Sequence, residues 1–247
     1  MIKIENVEVV GWEHAIRGMR NPMNSWSGSD SLFCRKNDCL ICEANGDCGS
    51  KGLDFDIGTE DHDLMMKLAA GGSVHAKFRR MITVYVDITA PFYWWKEFDT
   101  YKVGTVANSC STMHKIAEKE FTLEDFSADQ LCYNAFDISG IIDVFGDGDG
   151  KEMMSPIRII EMTIEMLNAM RKQYLETKDK RYWWQMIQLL PSSYNQKRTI
   201  MLNYEVLAGI YPMRKDHKLD EWREFCKWIE QLPYNELITC NTMNAKG

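Results

Sequence analysis

The stretch Val84–His114, VYVDITAPFYWWKEFDTYKVGTVANSCSTMH, constrains the fold more than any other. It starts with strict alternation, V-Y-V-D-I, the period of a strand with one buried face. Thr89-Ala90-Pro91 ends that strand and opens an aromatic-rich, helix-like run with a Lys-Glu pair. The run gives way to small polar residues between Thr105 and Thr112, among them Asn108, Ser109, Cys110 and Ser111. Such residues let a backbone approach a ligand and offer hydroxyl, thiol and amide groups. A loop fixed to a rigid strand and helix is where binding groups concentrate.

The rest of the chain reads as strand, insert, helix, strand, helix and a long helical half. Lys3–Val10 alternates, and Glu13–Met19 suits a short helix stopped at Asn21-Pro22. Asp61–Ala70 places Leu64, Met65 and Leu68 on one helical face, with Gly71-Gly72 as the stop. Phe121–Gly140 reads as helix and turn. Pro156–Thr177 is the clearest helix, with Ile157, Ile160, Ile164 and Leu167 at helical spacing and Pro156 in the first turn. Arg181–Leu190, Tyr194–Tyr211 and Lys218–Gln231 read as three more. With no repeat and no long linker, one domain over 1–247 is expected, carrying a Cys-rich insert at about 24–58.

A net charge of −7 argues against broad nucleic-acid or membrane-surface binding. No run approaches the roughly 18 apolar residues of a membrane span. With no secretory leader in MIKIENVEVV, a cytoplasmic setting and reduced thiols are expected.

Four of the eight cysteines, Cys34, Cys39, Cys42 and Cys48, follow the order C-x4-C-x2-C-x5-C. Thiolates this close can converge on zinc or an iron–sulfur cluster, with Gly46 and Gly49 supplying turns. A surface loop of unligated thiols is the alternative. Gly146–Gly150 mimics a calcium loop, but the register puts Phe145 at the first ligand position and Pro156 at the twelfth. It reads as a solvated turn. His114 follows Cys110 by four residues, the ingredients of a Cys–His nucleophile pair, which coincidence also supplies. His75, after Gly71-Gly72-Ser73, is a candidate for a cleft or an ordinary surface ring. Arg214 comes eleven residues after Asn203, three turns on a continuous helix, so the two would share a face. Pro212 should kink or end that helix near Ile210, leaving Arg214 at its exit. A guanidinium there suits a carboxylate, phosphate or pyrimidine carbonyl, and pairing with Asp216 or Asp220 is the alternative.

These segments together resemble the flavin-dependent thymidylate synthases. The likeness rests on Asp61–Leu64 with Gly71–Phe78, on the strand Val84–Pro91, on Tyr101–Thr105 through Cys110–Thr112, and on the spacing of Leu190-Pro191, Asn203 and Arg214. It covers roughly 60–115 and 185–230, and more weakly the first 25 residues. The chain departs where the family has Arg-His-Arg and carries Thr100-Tyr101-Lys102 there. It has Cys110 and Thr112 at the signature's late Ser and Arg, and Glu97 for a Gln.

The resemblance implies an α+β domain with a curved antiparallel sheet flanked by helices, a helix-rich C-terminal half, and a homotetramer whose active sites form where subunits meet. It implies FAD as cofactor, methylenetetrahydrofolate and NADPH as co-substrates, and dUMP as acceptor of the one-carbon unit. His75, Tyr101, Lys102 and Asn203 would serve the flavin. Glu97, Cys110, Ser111 and Arg214 would serve the nucleotide, the last three at the reacting base. Two other readings stand beside a methyltransferase of this type. One is a related flavoenzyme modifying another pyrimidine nucleotide. The other is a non-catalytic relative whose metal-binding insert is the working part.

Overall fold

The structure is a computed structural model that describes residues 2–33, 55–138 and 153–240. The four cysteines of the expected metal cluster and the Gly146–Gly150 turn lie outside the described residues. Among the described residues, no group of three or more His, Cys, Asp and Glu side chains could hold a metal ion. No helix among them is long and apolar enough to cross a membrane.

The fold is α+β, 51% helical among the described residues, with antiparallel sheets that do not close. The principal sheet contains β1 (Lys3–Val10), β4 (Thr83–Pro91), β5 (Val106–Ser109) and β8 (Asn195–Asn203), in the order β1-β4-β8-β5. There are two further two-stranded antiparallel sheets, β2 (Leu32–Phe33) with β3 (Phe55–Asp56), and β6 (Phe136–Asp137) with β7 (Met153–Met154). The α-helices among the described residues are α1 (Trp12–Arg20), α2 (Thr59–Ala70), α3 (Phe92–Phe98), α4 (Thr112–Lys115), α5 (Pro156–Thr177), α6 (Lys180–Leu189), α7 (Tyr204–Arg214), α8 (Asp220–Ile229) and α9 (Glu236–Thr239). Two compact units share the chain. The first comprises Met1–Ile4, Asp87–Thr100 and Asn108–Thr199, and the second Glu5–Val86, Tyr101–Ala107 and Ile200–Gly247.

β4 forms as its alternation dictates. Val84, Val86, Ile88 and Ala90 are buried while Tyr85 faces solvent. Pro91, extended at φ −69° and ψ 153°, hands the chain to α3. The first α3 amides find partners outside the helix: Phe92 N–H donates to the Tyr194 carbonyl and Tyr93 N–H to that of Ser192, both at 3.1 Å. Trp94, Trp95 and Phe98 are all at most 2% exposed. One chain therefore buries the tryptophans of this aromatic run by itself. The first unit also packs Ile116, Phe121, Phe126, Ile157, Ile160, Leu167 and Met186 into one cluster. The second unit stacks Trp12 on Phe55 at 4.9 Å and sets Tyr204 edge-on to Trp12 at 5.3 Å.

Four expectations fail. Tyr194–Tyr211 is not one helix: β8 takes Asn195–Asn203 and α7 begins at Tyr204. Ile200 and Leu202 are fully buried on either side of half-buried Met201, a period of two that overrides the helical reading. The described part of Phe121–Gly140 holds no α-helix, only a single 3-10 turn, Leu123–Asp125, closed by a Thr122/Asp125 capping box, and β6. The small polar stretch after Thr105 is not all loop, because Val106–Ser109 pairs as the exposed end strand β5. Pro212 does not end its helix either. α7 continues to Arg214, where the Lys215 amide closes it on the Tyr211 carbonyl.

Candidate functional site

In the second unit the structure brings Tyr101 and Arg214 together. Arg214 Nε donates to the Tyr101 hydroxyl at 2.8 Å. The guanidinium lies 4.4 Å from the centre of the Trp222 ring and 5.5 Å from that of Tyr101. Two aromatic rings this close suit a weakly hydrated cation. His217 stands at the end of the fork, its Nε2 3.0 Å from Arg214 Nη1, while its Nδ1 faces the Leu219 N–H at 3.2 Å. A neutral imidazole has one acceptor nitrogen, so the ring answers one of these donors at a time. Sequence reasoning missed Trp222. Its only signal was an aromatic on the helix following Arg214.

Asn203 is the N-cap of α7, its side-chain oxygen accepting from Val206 N–H at 3.1 Å. It does not share a helical face with Arg214, since it stands at the end of β8. A Cβ on Gly104 would come within 3.1 Å of Asn203 Nδ2, and φ is +79° there, so this turn needs glycine. The neighbouring Thr105 hydroxyl is buried with no hydrogen-bond partner among the described residues. Lys102 and Val103 are exposed at the tip. His75 is exposed, and a Cβ on Gly71 would lie 3.2 Å from its ring, which accounts for the first glycine of the Gly71-Gly72 pair.

Cys110 and Ser111 belong to the first unit. They line a cavity of about 440 Å³ with Thr112, Lys115, Lys119, Tyr194 and Gln196. Cys110 is an exposed free thiol. Ser111 caps α4, its hydroxyl accepting from His114 N–H at 3.1 Å. Lys119 pairs with Asp125, whose hydrogen bond raises the ammonium above its ordinary pKa. Burial, and then the Asp125 charge, push the Tyr194 phenol upward, so it remains a neutral donor at physiological pH. Glu97 is half-buried on α3 and does not line this cavity.

A second cavity, about 580 Å³, was not foreseen and lies in the second unit beside Arg17, Arg20, Trp26 and Phe33. Its floor includes Ser29 and Ser31, which donate to the buried Asp61 carboxylate at 2.6 Å each.

No family model and no curated protein matches the chain. Solved structures do. Thymidylate synthase X from Helicobacter pylori, solved with FAD and dUMP, matches with a TM-score of 0.58 at 14% identity, over 96% of each chain. The UMP/dUMP methylase PolB from Streptomyces cacaoi, bound with 5-bromo-dUMP, matches with a TM-score of 0.58 at 14% identity, over 97% of this chain and 95% of the other. At such identity the likeness establishes architecture, and the chain has the fold of the flavin-dependent thymidylate synthases.

Proposed function

We infer that the chain is a flavin-dependent enzyme that transfers a one-carbon unit to a pyrimidine nucleotide, dUMP or a close analogue. The observation that carries this is the near full-length match to two enzymes solved with FAD and dUMP or with a brominated dUMP. The residues present fit a flavin. A buried Thr105 hydroxyl, without a partner among the described residues, and an exposed Lys102 stand on one glycine-bearing turn beside the start of α7. Reduced FAD would carry the one-carbon unit from methylenetetrahydrofolate, with NADPH as reductant.

The chain's own residues bind and polarise. Lys102 offers a point charge to a flavin phosphate, and Tyr101, His75 and Asn203 border the flavin. Arg214, close to the Trp222 ring and hydrogen-bonded to Tyr101, would put positive charge where a pyrimidine carbonyl gains negative charge as C5 becomes nucleophilic. In the first unit, Cys110 and Ser111 offer a thiol and a hydroxyl to the nucleotide, with Lys115 and Lys119 supplying positive charge in the same cavity. Glu97 is assigned to the nucleotide by the family resemblance. The Streptomyces match supports a second reading, in which UMP or another uridine nucleotide is the acceptor. Titrating dUMP and UMP side by side into FAD-loaded protein separates the two.

Lys102→Ala should weaken FAD by roughly tenfold, as expected for one charge-assisted contact, and leave dUMP affinity nearly unchanged. Equilibrium titration of both ligands checks it, and unchanged FAD affinity would remove Lys102 from the flavin site. The homotetramer reading now rests on the family resemblance. Light scattering at micromolar concentration should give about four times the 28.7 kDa chain mass. A monomer mass would count against active sites shared between subunits.

A further inference from the structure

One wall of the first unit's cavity is oriented from behind. Arg198 stands on β8 with its guanidinium carbon 4.2 Å from the centre of the Trp95 ring. Its Nη1 donates to Asp99 Oδ1 at 2.7 Å, and its Nε to Gln196 Oε1 at 3.0 Å. Arginine can only donate, so the Gln196 atom facing it must be the oxygen. That settles the other end of the amide, an orientation ordinarily ambiguous. Gln196 Nε2 therefore donates to the Cys110 carbonyl at 3.0 Å and to Thr112 Oγ1 at 3.2 Å. On the other side, Cys110 N–H donates to the Lys197 carbonyl at 2.9 Å. β8 thus grips the Cys110 backbone twice, once through its own backbone and once through Gln196. The segment needs this grip, because Val106–Ser109 before it is exposed throughout and brings little burial of its own.

We propose that Arg198 is a positioning residue, which through Gln196 holds the Cys110–Thr112 segment in the shape that receives the ligand. Arg198 does not line the cavity, so it acts only through its neighbour. The identity of the ligand rests on the nucleotide reading above, whereas the clamp rests on the hydrogen bonds alone.

Two variants of the full chain test it. Gln196→Glu keeps size and gives Arg198 a carboxylate, but cannot donate to the Cys110 carbonyl. Arg198→Lys keeps a charge for Asp99 and loses the planar fork that also holds Gln196. Both should stay folded by circular dichroism. In both, hydrogen exchange in the peptide spanning 106–114 should quicken by about tenfold, and dUMP should bind about tenfold more weakly, the size of one lost net hydrogen bond. A role confined to the Asp99 ion pair instead predicts that Arg198→Lys behaves as the parent, which would overturn the proposal. Faster exchange with unchanged dUMP affinity would also overturn it. A parent that binds neither dUMP nor UMP sinks the nucleotide reading, and the exchange comparison then still decides whether Arg198 holds the segment.

Discussion

Asp61→Ala should destabilise the protein by about 3–5 kcal/mol, the cost of breaking a buried ion pair from one side. Asp61 is wholly buried and Arg20 only 7% exposed. The carboxylate accepts from Arg20 Nε, Ser29 Oγ and Ser31 Oγ, each at 2.6 Å, and from the backbone amides of Ser31 and Asp30 at 3.1 and 3.2 Å. Removing it strands a buried guanidinium, two hydroxyls and two amides together. Burial alone would raise the Asp61 pKa, but the hydrogen bonds from Ser29, Ser31 and Arg20, with the charge of Arg20, outweigh it and hold the carboxyl below 3.8. A carboxyl lowered by folding contributes stability that is present above the ordinary carboxylate range and is lost as pH falls through the folded value. Urea melts of the parent should therefore weaken as pH drops below about 4. Asp61→Asn, already destabilised at pH 7, should lose less over the same interval. An alanine variant melting within a degree or two of the parent would mean that the network carries no net stability.

That network shows what local pattern conceals. Asp61 lies in the first turn of α2 and looks like an ordinary solvated acid near a helix start. Its donors come from residues 30 to 41 positions away. The strand β4 and the helix α5 were legible because each carries its own period in consecutive residues. β8 was not, because its start, Gln196-Lys197-Arg198, reads as helix surface. Those polar side chains sit on a sheet strand by pairing with distant residues, Arg198 with Asp99 and Lys197 with Asp87 at 3.1 Å. The candidate site divides in the same way. The small polar stretch at Cys110–Thr112 stood out by composition and does line a cavity. The Tyr101–Arg214 contact joins residues 113 apart, and only the family resemblance suggested both. The helical face expected for Asn203 and Arg214 was not found, since spacing along an assumed helix cannot reveal that Asn203 ends a strand and caps the helix after it.

The second large effect is expected at Arg214. Its alanine variant should weaken dUMP by roughly tenfold or more, the loss of a charge-assisted hydrogen bond worth about 1.5–3 kcal/mol. FAD affinity should change little. Because Arg214 also stacks on Trp222, which is fully buried, the variant's thermal melt must be recorded alongside. Arg214→Lys separates charge from shape: a lysine keeps the cation but neither the stacked plane nor the fork. It should recover only part of the lost affinity. Full recovery by lysine would mean that a point charge suffices and that the Tyr101–Trp222 cage has no part in recognition.

The most direct test of the central claim is the visible spectrum of the intact protein after FAD addition and removal of unbound flavin, followed as dUMP is added. The account predicts retained flavin bands near about 370 and 450 nm that shift saturably with dUMP, and a shift requiring roughly tenfold more dUMP in Arg214→Ala. A folded protein that retains no flavin would contradict it, leaving this chain with the fold of the family but not its chemistry.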